Sequence, residues 1–209
     1  MTIIFSDTGV NFPDNSLQVS AAAPQIQSIS ASVASNALTI SVGALSLAFR
    51  STTLGSGTVA TVTGTPANLV VPSTATLGTV SATQSRLVVI AMNNAGTIEL
   101  AVVNIAGGNN LDETGLISTT AIAAASNGAS TAYSTTARSN LTYRVIGYVE
   151  STQATAGTWA TAPSTIQGQG GQALAAMSSL GYGQTWQNVS GSRAASTTYY
   201  NTTGRPIYV

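Results

Sequence analysis

The chain contains no cysteine and no histidine, and its six basic residues are all arginine, so lysine is missing as well. These absences remove whole chemistries. Without histidine or cysteine there is no Ser-His-Asp triad, no Cys-His dyad and no imidazole or thiolate metal site. Without lysine there is no Schiff base, and without cysteine there are no disulfides. Charge of either sign is scarce: 6% of residues are charged and the net charge is zero, where roughly a quarter is ordinary. The arginines stand singly, which excludes the clustered basic surface that phosphate backbones require, so no nucleic-acid partner is expected. No apolar run approaches the roughly 20 residues of a membrane helix, and no membrane insertion is expected. The opening MTIIFSDTGV has neither a basic region nor a long apolar core, so it does not read as a Sec signal.

The missing lysine also has a structural meaning. Soluble sheets often guard their exposed edges with lysine. A β-rich chain without it must protect its edges by closure, by coverage or by association. Association with further copies is the expectation here.

What the sequence does contain is mostly alternation. Arg86–Asn104, RLVVIAMNNAGTIELAVVN, is the densest apolar stretch, two β-branched-rich runs around Asn93-Asn94-Ala95-Gly96. It predicts a hairpin with a four-residue loop that pairs Met92 with Thr97. Leu87, Val89 and Ala91 then share a face with Ile98, Leu100 and Val102. Burying one such aliphatic side chain contributes about 1.5–3 kcal/mol, enough for that face to anchor a core. The other face carries Val88, Ile90, Met92 and Val103. It calls for a second sheet or a neighbouring subunit, and these four residues are the candidate subunit contact.

Elsewhere, Leu38, Ile40 and Val42, then Leu45, Leu47 and Phe49, alternate with small polar residues across Gly43-Ala44. This predicts a hairpin on a two-residue type II′ turn. Short strands are expected near 58–63 and 68–71, demoted to edges by Pro66 and Pro72, and near 116–122. LTYRVIGYVE at 141–150 predicts a strong strand with Leu141, Tyr143, Val145 and Val149 on one face and Arg144, Ile146, Tyr148 and Glu150 on the other. Residues 172–180 are the one helix candidate. The whole predicts a mainly β protein of antiparallel β-sandwich or jelly-roll-like modules. The divisions are an N-terminal docking arm (1–24), a central β-domain (25–180) and the start of a C-terminal β-module (181–209) that continues in a longer polypeptide or is completed by another chain.

Little chemistry survives. Asp112 and Glu113 are adjacent in a Gly/Asn-rich loop, while Glu99 and Glu150 lie on strands. A carboxylate pair can hydrolyse glycosides, and Asn109, Asn110, Asp112 and Glu113 offer hard oxygens for calcium without EF-hand spacing. Solvated loop acids and strand-end charges are the plainer reading. Trp159, Trp186, Tyr182, Tyr199 and Tyr200 are candidates for stacking on sugars or for packing within sheets. No cofactor, metal or catalytic residue is assigned, and the chain is not expected to be an enzyme.

Two stretches carry a resemblance. Phe12-Pro13-Asp14-Asn15-Ser16-Leu17-Gln18-Val19-Ser20-Ala21-Ala22 resembles the start of many tail-fibre-like proteins of tailed bacteriophages, with Asn15 where glycine is usual. Gly183-Gln184-Thr185-Trp186-Gln187-Asn188-Val189-Ser190-Gly191-Ser192-Arg193, with Tyr199-Tyr200-Asn201-Thr202-Thr203-Gly204-Arg205-Pro206-Ile207, resembles a module near the C-terminus of such proteins. The resemblance implies a virion structural protein, assembled in the host cytoplasm. It would dock on other virion proteins through Phe5, Phe12, Asp14 and Leu17 and project as a homo-oligomer, with a trimer favoured. A tail-fibre or receptor-binding part that contacts a host surface glycan is the first reading. A head fibre or capsid decoration protein is the alternative, and a carbohydrate-active enzyme the second alternative.

Overall fold

The computed structural model describes residues 4–6, 9–11, 17–18, 29–108, 111–168, 191 and 194–197. Among the described residues fourteen strands carry the fold. In chain order they are β1 (Ile4–Ser6), β2 (Gly9–Asn11), β3 (Leu17–Gln18), β4 (Ile29–Ala34), β5 (Ala37–Val42), β6 (Leu45–Arg50) and β7 (Val59–Gly64). There follow β8 (Leu69–Val71), β9 (Ser85–Asn94), β10 (Thr97–Asn104), β11 (Ile117–Ala121), β12 (Ala132–Ser134), β13 (Arg138–Ser151) and β14 (Thr165–Gly168). The protein is mainly β and mainly antiparallel, as its alternation predicts. The predicted helix at 172–180 and the C-terminal module lie outside the described residues, apart from 191 and 194–197.

The organising hairpin is β9–β10. Its apolar faces are those the alternation defines, but its register is shifted by two residues: Asn94 pairs with Thr97, Met92 with Glu99 and Ala91 with Leu100. The loop is therefore Ala95-Gly96 alone, with φ of 49° and 88°. Positive φ at both positions is the two-residue type I′ geometry, whose twist matches the flanking strands better than the wider loop expected. A slip of two leaves every side chain on its predicted face, where a slip of one would have exchanged them.

The predicted β5–β6 hairpin does not form. Leu38, Ile40, Val42, Leu45, Leu47 and Phe49 are all buried as alternation requires, but β5 already has a partner on each side, β4 and β8. No edge remains for β6, which crosses at Gly43-Ala44 into a second sheet and pairs with β7. The hairpin turn lies one strand earlier, at Ser35-Asn36, with φ of 50° and 60°.

Strand β13 also departs from simple alternation. A bulge between Val145 and Gly147 inserts one residue against β9, which exchanges the faces beyond it. Tyr148 thus joins the side of Tyr143, while Val149 joins Ile146. Gly147 permits the close approach of β14, because a Cβ there would collide with the Gln167 carbonyl oxygen and Ile29 Cδ1.

These pairings close a ring. β9 pairs with β10, β10 with β12, β12 in parallel with β11, β11 with β13, and β13 with β9. The result is a five-stranded barrel, not clearly a sandwich or jelly roll. Its interior is filled by Val88, Ile90, Met92, Ala101, Val103, Ala132, Tyr143 and Tyr148. The outer wall of β9 and β10 packs Leu87, Val89, Leu100 and Val102 against β5, β6 and β8 to make the larger core, with Trp159 inside it.

The candidate subunit contact is corrected by this closure. Val88, Ile90, Met92 and Val103 are 1%, 0%, 0% and 0% exposed within a single chain. The face that called for a partner finds it across its own barrel.

Candidate functional site

The few charges are placed with care. Arg86 and Glu150 sit directly opposite each other on β9 and β13, on the strand faces that line the barrel interior. The Arg86 Nε donates to Glu150 Oε1 at 2.9 Å, its Nη2 also donates there, and Gln84 Nε2 donates to Oε2 at 3.2 Å. The guanidinium lies 4.7 Å from the centroid of the Tyr148 ring. The two side chains are 5% and 10% exposed. A second pair bridges β10 and β13, strands that do not neighbour each other. Arg138 Nε donates to Glu99 Oε2 at 2.7 Å and its Nη2 to Oε1 at 2.6 Å, with Asn94 Nδ2 adding a bond at 2.9 Å. The Arg138 hydrogen bonds hold the Glu99 carboxyl below its ordinary value.

The third pair forms the wall of a groove of about 480 Å³ between the β6–β7 end and the outside of β13. That volume is within the range of small-ligand sites. Arg144 projects from β13, and its Nη1 donates to the Ala48 carbonyl of β6 at 2.9 Å. Its Nε is 2.7 Å from Glu113 Oε2 but out of line for a hydrogen bond. Glu113 Oε1 accepts from the Val145 N–H at 2.6 Å, beside the bulge. Asp112 turns the loop by accepting from the Thr114 hydroxyl and N–H, which hold its carboxyl below the ordinary value, with the Arg50 charge adding to the effect. Buried beneath, Tyr143 has its hydroxyl pKa pushed up to about 12 by burial first, then by the charges of Glu113 and Asp112. It therefore stays a neutral hydrogen-bonding group.

Arg50 closes the groove. Its Nη2 donates to the Leu54 carbonyl, while its Nε is buried with no partner. Among the described residues Arg86, Arg138 and Arg144 each have a glutamate and Arg50 has none. With Ser51, Thr53 and Thr58 around it, and the Asp112 carboxylate near enough to feel its charge, Arg50 gives the groove a guanidinium outside any ion pair and a set of hydroxyls. Such a surface offers hydrogen bonds to a polar ligand.

The sequence candidates scatter. Asp112 and Glu113 come to the groove, but Glu99 and Glu150 lie in separate ion pairs. A glycosidase acid needs a raised pKa, and Glu99 and Asp112 are shifted the other way. Glu113, a calcium candidate, has both oxygens engaged by Arg144 and Val145, and Asn109 and Asn110 lie outside the described residues. No cluster of three or more metal-ligating side chains occurs among the described residues. Trp159 is fully buried and donates to the Ala75 carbonyl at 2.9 Å, so it is a core residue. Trp186, Tyr182, Tyr199 and Tyr200 lie outside the described residues. In the arm, Phe5 of β1 pairs with Val10 of β2, and Leu17 opens β3 opposite Asn11. Phe12 and Asp14 lie outside the described residues. Nothing in the sequence marks Arg50 or Arg144, because a lone arginine beside a strand carries no signal. Only their convergence from positions 94 residues apart makes the groove.

Comparison with known family models, curated proteins and solved structures finds no match for the chain.

Proposed function

We propose that the chain is a structural protein of a tailed-bacteriophage particle, a tail-fibre or receptor-binding component. Its N-terminal arm docks on other virion proteins, and its β-modules project as a homo-oligomer, with a trimer favoured. The observation that carries the reading is where the charges go. All three described glutamates are consumed in ion pairs with arginine, which leaves an exterior dominated by hydroxyls, amides and strand edges with few unpaired charges. Surfaces of that kind assemble by shape and hydrogen bonding, with little dependence on salt. The motif resemblance at residues 12–22 and 183–207 supports the same assignment, and the groove at Arg50 fits contact with a host surface glycan.

The head fibre or capsid decoration reading rests on the same materials and differs in location. Labelling the chain and imaging intact particles tests both. Label at the tail is the expected result; label over the capsid selects the alternative. Particles that lack the chain refute the assignment, and a turnover of saccharide by the purified protein would move it to the carbohydrate-active class.

A further inference from the structure

We infer that β7 is the edge through which the chain pairs with a second copy of itself. The inference rests on the self-association proposed above and names the surface that carries it. Edges elsewhere in the sheets built from β4 to β14 are dealt with locally. The barrel ring closes on itself. β8 is three residues long and stands between Pro66 and Pro72. The outer side of β6 is met by the Arg144 guanidinium at the Ala48 carbonyl. β4 packs on β14.

β7 packs its inner face, with Val62, toward β10, but its outer edge has no such protection. Its six residues, VATVTG, contain no charge and no proline. It pairs with β6 along its whole length, and no backbone group of 59–64 bonds outside that ladder among the described residues. Val59, Ala60, Thr61 and Thr63 are exposed, and Val59 is 64% exposed. A row of open N–H and C=O groups on an uncharged, β-branched strand is a template for another strand.

The occupant follows from the same residues. A strand without charge meets no like-charge repulsion from its own copy, and Val and Thr make favourable cross-strand pairs with Val and Thr. About a two-fold axis β7 pairs with β7 of the second copy. About a three-fold axis it pairs with β1 or β3, the edges of the three-stranded sheet in the neighbour's arm. In either case the β7 ladder is filled by the same polypeptide.

The test places a lysine on the edge. Thr61→Lys introduces the guard that β7 lacks. Thr120→Lys is the control, because Thr120 is equally exposed but lies on β11, which has a partner strand on each side. Sedimentation measures the mass of each protein across concentration. The expected result is an oligomer for the natural chain and for Thr120→Lys, with a dissociation constant at least about tenfold weaker for Thr61→Lys. An oligomer that Thr61→Lys leaves unchanged overturns the β7 inference while self-association stands. A natural chain that sediments as one copy overturns both. Amide exchange on the natural chain gives a second reading that needs no variant. Protection at 59–64 should rise with protein concentration, and exchange there that is fast at every concentration contradicts the inference.

Discussion

Removing Arg86 from beneath Glu150 should cost far more than removing both. The ion pair is nearly out of water, with side chains 5% and 10% exposed. At the 2.9 Å separation of Nε and Oε1, an effective dielectric of about 20 makes the attraction ~6 kcal/mol. Desolvating two ions costs several kcal/mol each, so the net contribution of the intact pair is close to zero. It is reduced further because Arg86 Nη1 is buried without a hydrogen-bond partner. The single variants forfeit the attraction and keep one desolvated charge. Arg86→Met and Glu150→Leu should each lose about 3–5 kcal/mol, whereas the double variant should lie within about 1 kcal/mol of the natural protein. Urea unfolding of all four proteins completes the cycle, with the slope checked for constancy. Single losses below about 1 kcal/mol, or a double loss equal to their sum, would refute the assignment of this pair to a sealed barrel end.

Three further outcomes follow from the geometry. Tyr143, raised from 10.0 to about 12, keeps its proton in the fold after the unfolded chain has lost it. Its stabilisation is fully present below pH 10 and is lost as pH rises toward 12, about 2.7 kcal/mol for two units. Tyr143→Phe should remove that part of the alkaline decline in urea stability. Glu99 is depressed below its ordinary 4.5, so its stabilisation is present above that value and fades as pH falls. Glu99→Gln should flatten the acid side of a melting-temperature profile. Gly147→Ala should cost about 1–3 kcal/mol by overpacking and should speed amide exchange in β14, whose Gln167 carbonyl the new methyl meets.

What could be read from the residues was local. Alternation placed Leu38 through Phe49 and both faces of β9–β10 correctly, because a period of two is a property of each strand by itself. It could not choose partners. β5 and β6 alternate alike, and the competition of β4 and β8 for the edges of β5 is decided by residues far along the chain. The signals for the two turns were present as Asn36 and Gly96, residues that tolerate positive φ, but each sat next to a more familiar turn pattern. Gly147 inside a strong strand was the mark of the bulge, and overlooking it exchanged Tyr148 with Val149. Barrel closure depends on β11 meeting both β12 and β13, a non-local pairing with no short motif. The oily second face of the hairpin therefore calls equally for a second sheet or a neighbouring subunit, and it is the chain's own barrel that supplies the partner. The groove was hidden for the same reason, since Arg50, Glu113 and Arg144 converge only after the sheets form.

The most direct measurement is the molar mass of the purified chain in dilute solution at low and at high salt. An assembly held by uncharged strand edges, with its described glutamates already paired to arginines of the same chain, should have the mass of several copies and keep it when salt is raised. A single-copy mass at both, or an oligomer that salt dissolves, would contradict the account.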